Sequence, residues 1–119
     1  MRREFRFCTI TGAVKLAEGQ TLITDSIAQS FECREAPRIE YSVAFGAKPY
    51  WDLARPGKGC FRADPQFRNP ANLDFRLKPT SPCRKRASDG GDLGCRYTPE
   101  MLEIINVALE LRRRKIIEF

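Results

Sequence analysis

The chain has 119 residues, of which 42% are hydrophobic, and it carries a formal net charge of +6. A hydrophobic fraction of this size predicts one folded domain and excludes a disordered chain. The sequence contains no histidine, which excludes histidine-based catalytic triads and histidine metal ligands.

The N-terminal segment, MRREFRF, lacks the long apolar stretch of a signal peptide, and no segment approaches the length of a membrane span. Two interpretations follow. The protein is cytoplasmic, or the chain is the C-terminal part of a longer protein whose targeting segment lies elsewhere. The repeat described next favours the second interpretation.

The first half of the chain contains a short repeat. Three stretches place a small hydroxyl residue directly before a β-branched apolar residue, and the hydroxyl positions lie 17 and then 16 residues apart. The pairs are Thr9 with Ile10, Ser26 with Ile27, and Ser42 with Val43. Such spacing is typical of a solenoid, in which each coil buries its apolar side on the next.

Stacked coils bring equivalent residues into columns. We therefore expect Ile10, Ile27 and Val43 to form an inward column, beside a column of the three hydroxyl residues. An ordinary antiparallel sheet is the alternative, because alternating apolar residues occur in both folds. The repeat spacing favours parallel coils.

Residues 47–72 are rich in proline and glycine, which predicts a long excursion from the coils, interrupted by a short strand near Phe61. Tyr50 and Trp51 stand in this excursion and are the candidate carbohydrate-stacking residues. They either stack on a sugar or fold back onto the coils as a plug. The plug is favoured, because large aromatic side chains are usually mostly buried.

The stretch DFRLKPTSP, residues 74–82, predicts a last strand and its end. Phe75 and Leu77 alternate on one face of an extended segment. Pro79 and Pro82 then prevent further pairing, because proline lacks the backbone N–H that a sheet requires.

Residues 98–119 predict an amphipathic terminal helix. Thr98 is a good N-cap, Pro99 suits the first helical position, and basic residues gather near the C-terminal end. The helix is expected to pack on the side of the solenoid. Two alternatives stay open, since it would equally suit a partner-binding helix or a cover for the open C-terminal end.

The five cysteines show no CxxC spacing, so a zinc site is not expected. An odd number cannot pair completely within one chain. Small buried residues are the favoured interpretation, and Cys83 with Cys95 is the one pair that merits a test.

No catalytic residue, metal site or cofactor is predicted. Asp25, Asp52 and Asp64 are available, but nothing in their spacing gathers them. The stretch Asp89–Asp92 resembles a calcium loop superficially, but it lacks the remaining ligands and is expected to be a turn.

Several motifs in the second half occur in a familiar order: ADPQF at 63–67, Asn69 with Pro70, DFRLKPTSP at 74–82, and DGGDLG at 89–94. They resemble the C-terminal end of right-handed parallel β-helix repeat proteins of the pectin-lyase-like superfamily, whose last coil commonly reads ADP-x-F, DFRL-x-P-x-SP and DAG. The resemblance is specific over residues 63–95, looser over residues 5–46, and leaves the terminal helix unexplained.

The resemblance implies an all-β fold, a parallel β-helix whose C-terminal end is closed after the two prolines. Residues 1–97 would form the coils and cap, and residues 98–119 the helix. It also suggests an extracellular or cell-surface location. Cys83 and Cys95 stand where the family tends to show alanine, which supports small buried residues over a disulfide.

The expected function is that of a non-catalytic C-terminal part of such a protein, structural or polysaccharide-binding. One alternative is a fragment of a polysaccharide lyase or glycoside hydrolase whose catalytic coils are missing here. The other is a basic nucleic-acid-binding module, which rests on the charge of +6 alone. Expected partners are a polysaccharide and a second copy joined through the uncapped N-terminal coil, with no specific nucleic acid and no membrane span.

Overall fold

A computed structural model describes residues 2–16 and 19–118. Over these residues the protein is a parallel β-solenoid of about three turns, followed by one C-terminal helix. This confirms the predicted fold class. The antiparallel alternative for the repeat is wrong, because the repeated strands all pair in parallel.

The strands of the solenoid form two sheets. In chain order the strands are β1 Arg2–Arg6, β2 Thr9–Leu16, β3 Gln20–Thr24, β4 Ile27–Cys33, β5 Arg38–Glu40, β6 Val43–Ala44, β7 Tyr50–Asp52, β8 Phe61–Arg62, β9 Phe67–Asn69 and β10 Asp74–Leu77. Sheet 1 has the order β1-β3-β5, and sheet 2 has the order β2-β4-β6-β8, with β7 also paired to β4. Each rung therefore contains one strand from each sheet; the first rung, for example, consists of β1 and β2.

Each rung turns between the sheets at a residue with left-handed backbone geometry. The φ values at these corners are 50°, 57° and 48°, at Phe7, Asp25 and Tyr41. The next residue in each rung is Cys8, Ser26 or Ser42. The Cys8 amide donates to Ser26 Oγ at 3.2 Å, and the Ser26 amide donates to Ser42 Oγ at 3.3 Å. The repeated serine hydroxyl therefore satisfies a backbone donor of the preceding rung.

The predicted inward column is wrong in its composition. Ile27 and Val43 do stack on each other, but Thr9 and not Ile10 lies opposite Ile27. A register shift between Ile10 and Ala13 gives β2 one extra residue. An alignment carried across this bulge is displaced by one position, and a displacement of one residue exchanges the two faces of a strand.

Two hydrophobic clusters result. The rung core lies between the sheets and contains Val14, Ile23, Ala28, Phe31, Cys33, Ile39, Ala44 and Ala54. The outer core lies on the other face of sheet 2 and contains Ile27, Val43, Cys83, Ala87 and Leu93. The last three come from residues 78–97, which we call the C-terminal wrap. Ile27 and Val43 thus face the wrap and not the inside of the coils.

The stretch DFRL forms strand β10, as predicted, and it pairs antiparallel with β9. A 3-10 turn at Pro70–Asn72 joins the two strands. Phe67 in this hairpin meets Phe45 of the last full rung edge to face, with ring centroids 6.3 Å apart. The hairpin therefore packs beside the C-terminal end of the solenoid.

After the prolines the wrap runs back along the outer face of sheet 2. The Arg86 guanidinium lies 4.5 Å from the centre of the Phe61 ring, next to the last strand of the sheet. Further along, the Gly94 amide donates to the Asp25 carbonyl at 2.9 Å, in the second rung. The Cys95 amide donates to Thr9 Oγ1 at 2.7 Å, in the first rung. The wrap therefore ties successive rungs together.

Gly94 lies where the wrap comes closest to the rungs. Its φ is +82°, and a Cβ at this position would lie 2.5 Å from Thr9 Oγ1 and 2.9 Å from Ile27 Cδ1. Both the backbone conformation and the lack of space require glycine here.

The helix α1 runs from Pro99 to Arg113, and Thr98 caps it by accepting a hydrogen bond from the Met101 amide at 3.2 Å. This confirms the predicted helix start. No residue of α1 is buried. At its far end the Arg112 guanidinium donates to the Ala71 carbonyl at 2.8 Å and to Asn72 Oδ1. Within the described residues, no helix is long and apolar enough to cross a membrane.

Candidate functional site

The two aromatic residues proposed for carbohydrate stacking point in different directions. Tyr50 belongs to β7 and stacks on Phe31 of the rung core, with ring centroids 5.9 Å apart and an interplanar angle of 23°. Burial, followed by the neighbouring Cys60 thiol, raises the pKa of the Tyr50 hydroxyl. Tyr50 therefore plugs the side of the solenoid.

Trp51 is on the surface, with 41% of its area exposed. Its indole Nε1 donates to the Lys48 carbonyl at 2.8 Å. The Lys48 ammonium lies 3.8 Å from the centre of the ring. One ring face is thus already occupied by a cation from the same loop, so a sugar that stacks on that face must displace Lys48.

The three aspartates considered for catalysis are not brought into one site. Asp25 is buried, whereas Asp52 and Asp64 are exposed. The Asp25 carboxylate accepts hydrogen bonds from the Ser88 amide at 2.6 Å and from the Ser88 and Thr24 hydroxyls at 2.9 Å each. Its contacts hold the wrap to the second rung. No group of three cysteine, aspartate or glutamate residues suited to a metal ion occurs in the part of the chain that the structure describes.

The stretch Asp89–Asp92 forms a turn, as predicted, with the Gly90 amide donating to the Ala87 carbonyl at 2.9 Å. Arg96 donates two hydrogen bonds to the Asp89 carboxylate, at 2.6 and 2.7 Å. These bonds hold the pKa of Asp89 well below its usual range. The guanidinium of Arg96 also lies 4.2 Å from the centre of the Phe7 ring. The turn therefore anchors the wrap at the first rung.

All five cysteines are free thiols. Cys33 and Cys83 are buried in the two cores, which confirms for these two the interpretation as small buried residues. Burial raises the pKa of the Cys83 thiol to about 11. A thiol with that pKa stays protonated at neutral pH and is a poor nucleophile.

A groove of about 290 Å³ lies between α1 and the β9–β10 hairpin. Its apolar wall on the helix side consists of Leu102, Ile105 and Leu109. On the hairpin side, the Asp74 carboxylate accepts two hydrogen bonds of 2.9 Å from Arg76, and these lower its pKa. The sequence interpretation missed this groove, because its walls come from segments that only the fold brings together.

The first rung presents a free edge. Within residues 2–16 and 19–118, β1 pairs only with β3 and β2 only with β4. The Leu16 carbonyl accepts from the Arg34 amide at 3.0 Å, so Leu16 faces the second rung. Because peptide groups alternate along a strand, the amides of Ala13 and Lys15 face the opposite way, toward the open side. Two strands with unpaired groups are a template for strand addition.

These features define a parallel β-solenoid with a lateral wrap, a free first rung and a loosely held terminal helix. No protein-family model, no curated protein and no solved structure matches the chain. The fold class therefore rests on the strand pairing described above.

Proposed function

We propose that this chain forms the non-catalytic C-terminal part of a right-handed, pectin-lyase-like parallel β-helix, with a structural role. The observation that carries the proposal is the difference between the two ends. The hairpin packs beside the last rung, whereas β1 and β2 offer unpaired edges. A further coil placed on β1 and β2 would continue both sheets, and the chain would then terminate the stack.

The wrap supports this role. It joins the first rung through Thr9, the second through Asp25 and the end of sheet 2 through Phe61. In a stack of coils, each rung contacts and stabilises only its immediate neighbours. A segment that bridges several rungs from outside stabilises the terminal coils, which have a neighbour on one side only.

The experiment removes one donor from the free edge. In the isolated chain we expect the edges of two copies to pair, since no other strand among the described residues pairs with them. Ala13→Pro deletes an amide that faces the open side and leaves the β2–β4 ladder intact. Ala13→Ser keeps that amide and is the matched control. Edge pairing measured by analytical ultracentrifugation should disappear in Ala13→Pro and persist in Ala13→Ser. Equal association of the two variants would contradict the proposal.

Polysaccharide binding is a second candidate, favoured by the exposed Trp51. If a sugar stacks on this ring, Trp51→Ala should abolish retention in affinity electrophoresis through soluble polysaccharides. Lys48→Ala uncovers the ring and should increase retention. Retention that neither change alters would remove Trp51 from consideration.

Two further alternatives stay predictions. A parent enzyme would be a polysaccharide lyase or glycoside hydrolase, whose activity should depend on carboxylates outside this chain. Nucleic-acid binding would have to weaken steeply with salt, because the charge of +6 is its only basis.

A further inference from the structure

The helix α1 is apolar on two opposite faces, and the solenoid occupies only one of them. Leu102, Ile105 and Leu109 line the groove against the hairpin. Ile104 and Val107 lie on the other side, with exposed fractions of 68% and 55%. A helix that is apolar nearly all round is normally buried all round. The outward face of α1 therefore lacks a partner within the described chain.

The outward face carries one apolar stripe, in which Ile104 and Val107 are exposed and Leu111 is half-buried. Ile104, Val107 and Leu111 are spaced by three and four residues, so they fall in line along the helix. The same spacing extends the stripe to Glu100 at the N-terminal end and to Arg114 just beyond the C-terminal end, and both are exposed. The stripe is therefore acidic at one end, apolar in the middle and basic at the other end.

This charge order selects the partner. When two copies of the stripe lie antiparallel across a two-fold axis at Val107, Glu100 of each copy meets Arg114 of the other, and the apolar middles coincide. A parallel arrangement would place like charges together. We infer that the outward face of α1 is a dimer interface, formed with a second copy of this chain in antiparallel orientation.

The surface area agrees with an interface of this kind. The chain exposes 7549 Å², which is roughly 1,000 Å² more than a compact monomer of its mass exposes. A standard interface buries about 800 Å² on each partner. Ile116 and Ile117, which follow α1 in the chain, are also exposed, by 58% and 38%.

The helix interface and the free edge of the first rung are different surfaces, so variants can remove one without the other. A chain that pairs through both surfaces forms assemblies larger than a dimer. Val107→Glu should leave a dimer joined by the edges, and Ala13→Pro should leave a dimer joined by the helices. The double variant should be a monomer. If Ala13→Pro alone is a monomer, the helix interface is absent, whatever the fate of the edge proposal.

Charge reversal tests the antiparallel orientation in the Ala13→Pro background. Glu100→Arg and Arg114→Glu should each weaken the dimer by roughly three- to tenfold, because each creates two like-charge contacts. The combined reversal should restore the affinity, since it recreates two opposite-charge contacts. Asn106→Glu, on a neighbouring face, is the control and should leave the dissociation constant unchanged. Failure of the double reversal to restore the dimer would overturn the inference.

Discussion

The rungs and the terminal helix contain similar apolar residues but bury them very differently. Ile23 and Ile39 are each 1% exposed, whereas Ile104 in α1 is 68% exposed. In the rungs each coil supplies the surface on which the next one packs, so burial follows from the repeat itself. The helix occurs once and meets the solenoid along one face. Apolar composition alone therefore does not predict burial, and the number of neighbours does.

The two regions also differ in what keeps them ordered. A large side chain buried in the rungs contributes about 1.5–3 kcal/mol. The 15 residues of α1 are near the lower limit for a stable helix in water. Its contacts at both ends, the Thr98 cap and the Arg112 bonds to the 3-10 turn, therefore matter more than its middle. The following changes test this contrast.

The largest effect is expected for Ile27→Asp. This change places a charge without a partner in the outer core, where Ile27 is fully buried. We expect the free energy of unfolding to fall by about 3 kcal/mol or more, measured by urea denaturation. Gln29→Asp changes an exposed residue of the same strand and should cost less than about 0.5 kcal/mol. Similar values for the two variants would show that the wrap does not cover Ile27.

A smaller effect is expected for Gly94→Ala, which tests the closeness of the wrap. Gly90 has the same φ of +82° but open space around its Cβ position. Gly90→Ala should therefore cost only the left-handed backbone penalty, about 1–2 kcal/mol. Gly94→Ala should cost at least about 1 kcal/mol more, because its methyl group meets Thr9 and Ile27. Equal losses in thermal unfolding would mean that the wrap stands away from the rungs.

The buried Cys83 thiol should make the outer core sensitive to alkali. Burial raises the pKa of Cys83 from about 9 to about 11, so the folded state holds this proton more tightly than the unfolded chain does. The resulting stabilisation is complete below pH 9 and is lost as the pH rises toward 11. Melting temperatures between pH 8 and pH 11 should therefore fall more for the wild type than for Cys83→Ala. Parallel curves would contradict the buried position of the thiol.

The smallest effect on global stability is expected for Arg112→Ala. The variant loses the hydrogen bonds to Ala71 and Asn72. Amide exchange should accelerate in α1, whereas the free energy of unfolding of the rungs should change by less than about 0.5 kcal/mol. Arg113→Ala is the control, because Arg113 bonds to Glu110 within the same helix. A large loss of rung stability in Arg112→Ala would show that the helix supports the solenoid.

Local patterns predicted the elements of this fold well. The repeated hydroxyl indicated parallel coils, and Ser26 and Ser42 do hold equivalent corner positions. The assignment of Thr9 to the same column was wrong, because Cys8 takes the corner position in the first rung. The alternation in DFRL indicated β10, and Thr98 with Pro99 marked the helix start. Each of these signals depends on residues that are near one another in the sequence.

The sequence interpretation was wrong or silent where one inserted residue or a distant contact decides the structure. The bulge after Ile10 displaced the alignment of Ile10 with Ile27 by one residue. The face of Ile27 and Val43 was wrong for another reason, because the distant wrap covers them from outside. The packing of Gly94 on Thr9 joins two segments that are far apart in the chain, so no local sequence pattern predicts this contact. The groove beside α1 escaped notice for the same reason. The separation of Tyr50 from Trp51 follows from the pairing of β7 with β4, which puts neighbouring side chains on opposite faces.

The path of the wrap restricts how this protein can grow by duplication. A copied coil inserted between the first and second rungs would move Thr9 away from Cys95 while Asp25 kept its place beside Ser88, and the bridging segment would have to lengthen with it. A coil added in front of β1 would disturb none of these bonds. Descendants of this architecture should therefore differ in length at the N-terminal side and keep the last coils constant in number.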